Sequence, residues 1–551
     1  MKIFRKKSSL MKIKFKIFNI VLISIFLQFS SIYAQISKAQ QDKFQEVLNN
    51  INDYYTDSVS GETIVENAIK STLKQLDPHS VYLTKKEITE LNKGLEGSFE
   101  GIGISYYIIS DTLFITSTVK GGPSQTAGIM PGDRIIKVDD QLIAGVNITQ
   151  DRIKELLSGK KGTELELSIK RRGIKKTKNY TIVRDKITVF SINSHYMAND
   201  SIGYIKLKQF SASSLDEFEK KIIELKTLGA KHLIFDLRDN GGGYLKTAVD
   251  LCDQFLEGQK MIVYTVGKNS PLRNYTTTPK NNPIEGRLIV LVNENSASAS
   301  EIFSGFIQDW DRGVILGRRT YGKGLVQRPF ELNDGSVIRL TTARYYTPSG
   351  RSIQKPYSDG VDKYYETLEK RSSSGELVSQ DSIKFPDSLM FRTLVNKRII
   401  YGGGGIMPDV FVPSDTLKYP QFYKEWFSGN LLNFFANLYV DENREIINSI
   451  YSDLDYFNRN FKIDNAFCFS LLNYIKENAK EEEIIKKISN INTEDISTNK
   501  NIKIHLKALI AGCIWGDNGY YKILNTGSEE YNLAVQIISD EKKYNEYIRN
   551  K

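Results

Sequence analysis

The chain has 551 residues, of which 40% are hydrophobic, 11% aromatic and 25% charged, a balance that fits several folded domains and excludes a largely disordered protein. Its formal charge of +10 is not a nucleic-acid signature. Seven cationic residues, Lys2, Arg5, Lys6, Lys7, Lys12, Lys14 and Lys16, fall in the first 34 residues without an acid, and the rest of the chain carries about +3.

Residues 1–34 have the three parts of a secretory leader: a lysine-rich start, an apolar run from Ile17 to Phe29, and Ser31-Ile-Tyr-Ala34 before Gln35. The run is short for a membrane span, so cleavage after Ala34 and export to the periplasm or cell envelope are expected, with an uncleaved anchor as the alternative. Cys252, Cys468 and Cys513 are far apart and odd in number, which argues against a disulfide framework. His79, His195, His232 and His505 stand singly, without metal-ligand spacing, so neither a metal nor another cofactor is expected.

From 35 to 96 the pattern is helical, with Phe44, Val47, Leu48 and Ile51 at three- and four-residue steps, broken at Asp77-Pro-His-Ser80. Between 97 and 187 it changes to short strands at 101–107, 113–119, 134–138 and 165–170, with short helices at 123–127 and 150–157. Ser124-Gln-Thr-Ala-Gly-Ile-Met-Pro-Gly-Asp-Arg-Ile135 makes this segment resemble a PDZ domain, with Gly101-Ile102-Gly103-Ile104 in place of the usual carboxylate-binding loop. The resemblance implies that a peptide C-terminus adds as a strand, its carboxylate held by backbone N–H groups of that loop.

Strands and helices alternate after Ile202. Gly203–Phe210 alternates like a strand, Ser214-x-x-Glu217 reads as a capping box before a helix, and 233–238 and 288–292 are buried strands, which together imply a largely parallel sheet. Residues 358–400 are polar and read as a loop or helical insertion. The remainder, 413–551, is helical and aromatic, as in Phe422-Tyr-Lys-Glu-Trp-Phe427 and Ile484-Ile-Lys-Lys-Ile488, and the Lys/Glu runs near 476–487 read as solvated helix faces.

Chemistry concentrates between Leu288 and Gln327. Ser298-Ala-Ser-Glu301 is a capping box, and Ile302, Phe303, Phe306 and Ile307 give its helix an apolar face. A serine at a strand-to-helix turn also stands where helix N–H groups face a developing oxyanion. No histidine lies nearby to activate it, but Lys323, between Gly322 and Gly324, becomes a base once burial lowers its pKa. In an extended segment Gln327 shares a face with Lys323 and can orient its amine. Gly317-x-x-x-x-Gly-Lys also fits a phosphate-binding loop, yet Gly324 stands where that loop needs Ser or Thr, and Pro329 follows where it needs a helix.

Five blocks now stand in order: Asp236-Leu-Arg-Asp-Asn-Gly-Gly-Gly243, Asn295-Ser-Ala-Ser-Ala-Ser-Glu301, Thr320-Tyr-Gly-Lys-Gly-Leu-Val-Gln327, Tyr345-Tyr-Thr-Pro-Ser-Gly-Arg-Ser-Ile-Gln354 and Gly402-Gly-Gly-Gly-Ile-Met-Pro-Asp409. With the PDZ-like segment and Asp77-Pro-His-Ser-Val-Tyr-Leu83, they resemble the carboxyl-terminal processing peptidases over roughly residues 40–412. The resemblance implies a PDZ-like β domain and an α/β protease core of the ClpP/crotonase type over 188–412; with the N-terminal helical module and the C-terminal helical domain that the residue patterns give, a multidomain α/β protein is expected. It implies a serine endopeptidase with Ser298 as nucleophile, a choice over Ser296 or Ser300 that spacing does not make. Lys323 is then the base, Gln327 its orienting partner, and the N–H groups of Ala299 and Gly242 the oxyanion donors. Gly241 departs from the proline frequent in the family. The implied partners are protein substrates with unstructured C-termini, with an adaptor that delivers them as a further option. The rival is a PDZ peptide-binding scaffold without turnover.

Overall fold

The computed structural model describes residues 36–279, 282–415, 418–479 and 491–549. The leader, the Ile484–Ile488 motif and the charged run from 480 onward lie outside the described residues. Among those described, no helix is long and apolar enough to cross a membrane.

Among the described residues, those from 36 to Thr72 form one compact unit and those from Leu73 onward another. In the first unit, the helix Lys38–Tyr54 opens on a capping box made by Ser37 and Gln40. Its apolar stripe is not buried: Phe44 is 51% exposed and Val47 48%. The segment after Asp77 does not stay with the helices, as the sequence pattern had it. Val81–Leu83 is a strand paired antiparallel to Val337–Tyr346 in a five-stranded sheet of the protease core. The helix Lys85–Leu95, capped by Thr84 and Glu87, then leads to the next domain.

That domain is built on alternation. In Glu164–Lys170 the residues Leu165, Leu167 and Ile169 point inward and join Leu113, Ile115, Ile135, Val138, Ile153 and Leu157 in one core. Ile104–Ile109 lies at one edge of its sheet, where among the described residues it pairs only with the strand Thr112–Thr118. The helices Pro123–Thr126 and Gln150–Leu157 fall where the sequence expects them.

The core sheet has six strands in the order Ile192–Asn199, Ile202–Leu207, His232–Asp236, Leu288–Val292, Val314–Gly317 and Val410–Phe411; all pairs after the first are parallel. Leu288–Val292 is buried at every residue, as a continuous apolar run requires when both faces are covered. Ile202–Leu207 is likewise buried throughout rather than alternating. Leu288, Val290 and Val292 pack with Phe303 and Phe306 of the helix Ala299–Asp309 and with Phe218 and Leu251 of two others. The helix read from Ser214 is capped one residue earlier, at Ser213, whose hydroxyl donates to Glu217.

The second face of the sheet shows what 413–551 does. Ile289, Leu291, Tyr204 and Leu316 are covered by Tyr531, Ala534, Ile537, Ile538, Tyr544 and Ile548 of the helices Glu529–Ser539 and Glu541–Arg549. The final two helices are therefore a layer of the core. The helices between Gln421 and Leu524 form a separate core around Trp426, Phe435, Phe457, Leu471 and Ile510. This bundle touches the PDZ-like domain through Asp441, whose carboxylate takes Arg134 at 2.7 Å and Arg172 at 3.1 Å. The 358–400 insertion is a mixture: helices Val361–Tyr365 and Thr367–Ser373, two short 3-10 turns, and a hairpin of Met390–Arg392 with Ile399–Tyr401.

Candidate active site

Ser298 sits at the N-terminus of the helix Ala299–Asp309 with φ 57° and ψ −111°. A non-glycine residue in this region carries strain of about 1–3 kcal/mol, held only where the surroundings over-determine it. The surroundings do so here. Glu301, fully buried, accepts the Ser298 N–H at 2.8 Å, the Lys323 N–H at 2.8 Å, the Gly322 N–H at 2.7 Å and the Thr320 hydroxyl at 2.6 Å. Tyr345 Oη lies within hydrogen-bond distance of the Ser298 carbonyl, at 3.1 Å, and of the Lys323 carbonyl. One carboxylate and one phenol thus tie the backbones of residues 298 and 323 together. The sequence offered Glu301 only as a cap, and nothing in its spacing marked Tyr345.

The three serines of the turn differ. The hydroxyls of Ser296 and Ser300 are buried and donate to the carbonyls of Leu237, at 2.8 Å, and Asn240, at 2.9 Å. Ser298 is partly exposed, and its hydroxyl makes no side-chain cap hydrogen bond. Among the described residues, no hydrogen bond joins Ser298 Oγ to Lys323 Nζ.

Lys323 precedes the strand Leu325–Glu331, and its Nζ lies 3.3 Å from Gln327 Oε1. The pairing of this strand with Val337–Tyr346 shifts register between Val326 and Gln327. Burial first, and the Arg339 guanidinium second, bring the Lys323 amine down to about 8. The Gln327 amide nitrogen donates to the His79 carbonyl, and Arg339 Nη2 donates to Gln327 Oε1 at 3.0 Å. His79, which the sequence left as an ordinary residue, is held neutral down to about pH 4, chiefly by burial and then by Lys323. Lys355 lies over the rings of Tyr321 and Tyr364 at 3.9 and 4.0 Å, and burial lowers its amine to about 8.

The glycine turn faces the serine directly. A Cβ on Gly242, whose φ is +102°, would lie 2.8 Å from Ser298 Cβ, 2.9 Å from the Ala297 carbonyl and 3.0 Å from the Ala299 nitrogen. Its N–H, however, donates to Asn240 Oδ1 at 2.9 Å, so in this structure it does not stand open to a ligand. Asn240 anchors the turn in three further ways. Its amide donates to the Leu207 carbonyl, and its own carbonyl accepts Ala297 N–H and the Ser300 hydroxyl. Below the turn, Asp236 is buried between Arg238 and Lys206. Burial alone would raise its pKa, but the two cations hold it well below the usual carboxylate range.

Gly101–Ile104 links Ser98–Gly101 to the edge strand Ile104–Ile109. The Ile102 and Gly103 carbonyls accept Ser124 N–H at 3.1 Å and Val119 N–H at 2.9 Å, and Gly103 has φ +73°. The loop lies at the end of the helix Gln150–Leu157, with the Leu157 carbonyl 3.9 Å from the position of a Cβ on Gly101.

Peptidase family S41 matches residues 201–366, the PDZ domain 89–170, and a family of unknown function 422–516. The carboxy-terminal-processing protease of Bartonella bacilliformis is 33% identical, over 57% of this chain and 73% of that protein. The carboxy-terminal processing protease CtpA of Bacillus subtilis is 32% identical, over 63% and 76%. Among solved structures, the photosystem II D1 C-terminal processing protease is 27% identical, over 56% of this chain and 83% of that one, with a TM-score of 0.33. The chain belongs to the carboxyl-terminal processing proteases of peptidase family S41, serine-type peptidases that here carry a PDZ domain.

Proposed function

We propose that the chain is an endopeptidase with a Ser298/Lys323 dyad that captures the C-terminal tail of a protein substrate on its PDZ domain. The observation that carries this reading is the double backbone clamp, by Glu301 and Tyr345, of a strained serine against a lysine whose amine is lowered to about 8. At neutral pH about a tenth of such an amine is unprotonated, and the fraction rises tenfold per unit below the pKa. The neutral Nζ takes the Ser298 proton as Oγ attacks the peptide carbonyl, then gives it to the leaving amine; water releases the acyl group by the same route. Gln327 keeps the amine pointed at its task. The Ala299 N–H at the helix start faces the oxyanion, and Gly242 joins it once its N–H leaves Asn240 Oδ1. Catalytic hydrogen bonds that are long or absent in the unliganded state tighten when substrate binds.

The edge position of Ile104–Ile109 supports tail capture by strand addition, with the Gly101–Ile104 loop at its start receiving the carboxylate. Export by the leader over 1–34 belongs to the same proposal, and N-terminal sequencing of secreted protein checks for cleavage after Ala34.

The test is cleavage of an unfolded polypeptide by the mature protein and by Ser298→Ala and Lys323→Ala, with fluorophosphonate labelling of the serine. Both variants are expected to lose at least about 1,000-fold in kcat/KM, with tail-peptide binding intact. Equal cleavage by all three proteins overturns the dyad. Tail binding by wild type without turnover or labelling favours a peptide-binding scaffold instead.

A further inference from the structure

Lys323 has two carboxylates near it and pairs with neither. Glu301 is taken up by the three N–H groups and the hydroxyl already described. Asp77 accepts the N–H groups of His79 and Ser80 at 2.8 and 2.9 Å, the Ser80 hydroxyl at 2.6 Å and the Thr341 hydroxyl at 3.0 Å. The polar partner of the amine is an uncharged oxygen, Gln327 Oε1, and that oxygen has a second donor, Arg339 Nη2. The two cationic heads share one acceptor at 3.3 and 3.0 Å, so they stand no more than about 6 Å apart. The amide cannot turn away from them, because its nitrogen is spent on the His79 carbonyl.

We propose that Arg339 is a positioning residue for this site: its guanidinium fixes the Gln327 oxygen toward Lys323 and sets a second positive charge beside the amine. The inference rests on Lys323 being the base. Two like charges so close disfavour the ammonium form, and a lysine beside another cation is a recognised way to keep an amine nucleophilic or basic near neutrality. The other groups facing Lys323 act in known directions. Glu301 and Asp77 favour the ammonium, while His79 is neutral above about pH 4 and adds no charge. Lys355 is a further cation on the His79 side of the site. Arg339 is the cation that shares an acceptor with Lys323, and it sits half-buried on the strand Val337–Tyr346, which pairs with the strand Leu325–Glu331 that follows Lys323.

The sign follows. Removing the Arg339 charge stabilises the ammonium, so the acid limb of kcat/KM moves to higher pH. Arg339→Met and Arg339→Gln are expected to shift that limb upward by about one unit, and Arg339→Lys to leave it within a few tenths. Profiles are taken for all three and for wild type, with near-UV circular dichroism to confirm folding and with Lys323→Ala in parallel. Two charge-removing variants guard against one that misfolds. Limbs that stay at the wild-type pH in Met and Gln variants, with only a uniform fall in rate, overturn the inference alone. A limb that survives in an active Lys323→Ala overturns the inference and the dyad reading together.

Discussion

A lysine held partly out of water with a lowered pKa costs the fold something, and the sign can be worked out. The amine falls from its ordinary 10.5 to about 8, so the folded state binds its proton less tightly than the unfolded chain does. The stability this group contributes is complete above pH 10.5 and lost as pH falls to about 8; below that, the charged amine costs roughly 3 kcal/mol. Lys323→Met is therefore expected to abolish peptidase activity while raising stability at pH 7 by about 1–3 kcal/mol, read by urea denaturation. An equal or lower midpoint counts against a strained amine. Gly242→Ala tests the facing turn: its φ of +102° and the 2.8 Å approach to Ser298 Cβ leave no room for a methyl group. We expect at least about 100-fold lower kcat/KM with the circular dichroism spectrum unchanged. These residue-scale features were unevenly legible. Ser298, Lys323 and Gln327 stand in recognisable blocks, whereas Glu301, Tyr345, Asn240 and Arg339 act through contacts 12 to 60 positions away in the chain that no local pattern encodes.

Among the elements, the bundle helix Lys500–Leu524 carries a titration that the whole chain feels. It breaks at Gly516, φ 64°, and before the break it buries His505 between Tyr423, at 3.0 Å from Nδ1, and Tyr520, at 3.4 Å from Nε2. Burial first, then Lys418, lower this imidazole to about 4. A depressed folded pKa gives stability that is present above 6.5 and lost as pH falls through 4, because only the unfolded chain takes up the proton in that window. The loss amounts to roughly 3 kcal/mol, and His505→Gln should flatten the decline of stability between pH 6.5 and 4 by about that much. A decline of unchanged slope would place the acid sensitivity elsewhere. Asp441, on the helix Leu431–Ile450, joins that bundle to the PDZ domain through Arg134 and Arg172. Its side chain is only 7% exposed, and Asp441→Ala removes the carboxylate of Arg134 while leaving Arg172 its contact with Glu442, so faster amide exchange across Arg134–Val138 is expected.

At the scale of the molecule, the final two helices decide whether the protease core can stand. They cover the face formed by Ile202, Tyr204, Ile234, Ile289, Leu291 and Leu316, an apolar surface that a truncated sheet would show to water. A chain ending at residue 528 is expected to be insoluble or to bind a hydrophobic dye strongly, and a soluble, active truncation would refute the packing role. The helical stretch read as one over 413–551 thus holds two roles, which divide between Leu524 and Glu529. Helical periodicity reports that a stretch is helical and which side is apolar; it does not report which apolar surface that side will meet.

The sequence by itself determined the family, the PDZ and α/β architecture, the buried parallel strands and the segment that bears Ser298 and Lys323. Those features rest on short-range signals: hydrophobic period, turn chemistry, and motif blocks whose members lie a few residues apart. Only the tertiary structure decided that Val81–Leu83 joins the protease sheet, that the His79 carbonyl holds the Gln327 amide, and that Gly242 spends its N–H on Asn240. It also decided that the last helices roof the core. Each of these is a partnership between groups whose local sequences are compatible with several partners. Burial and hydrogen-bond satisfaction across the whole fold select one of them.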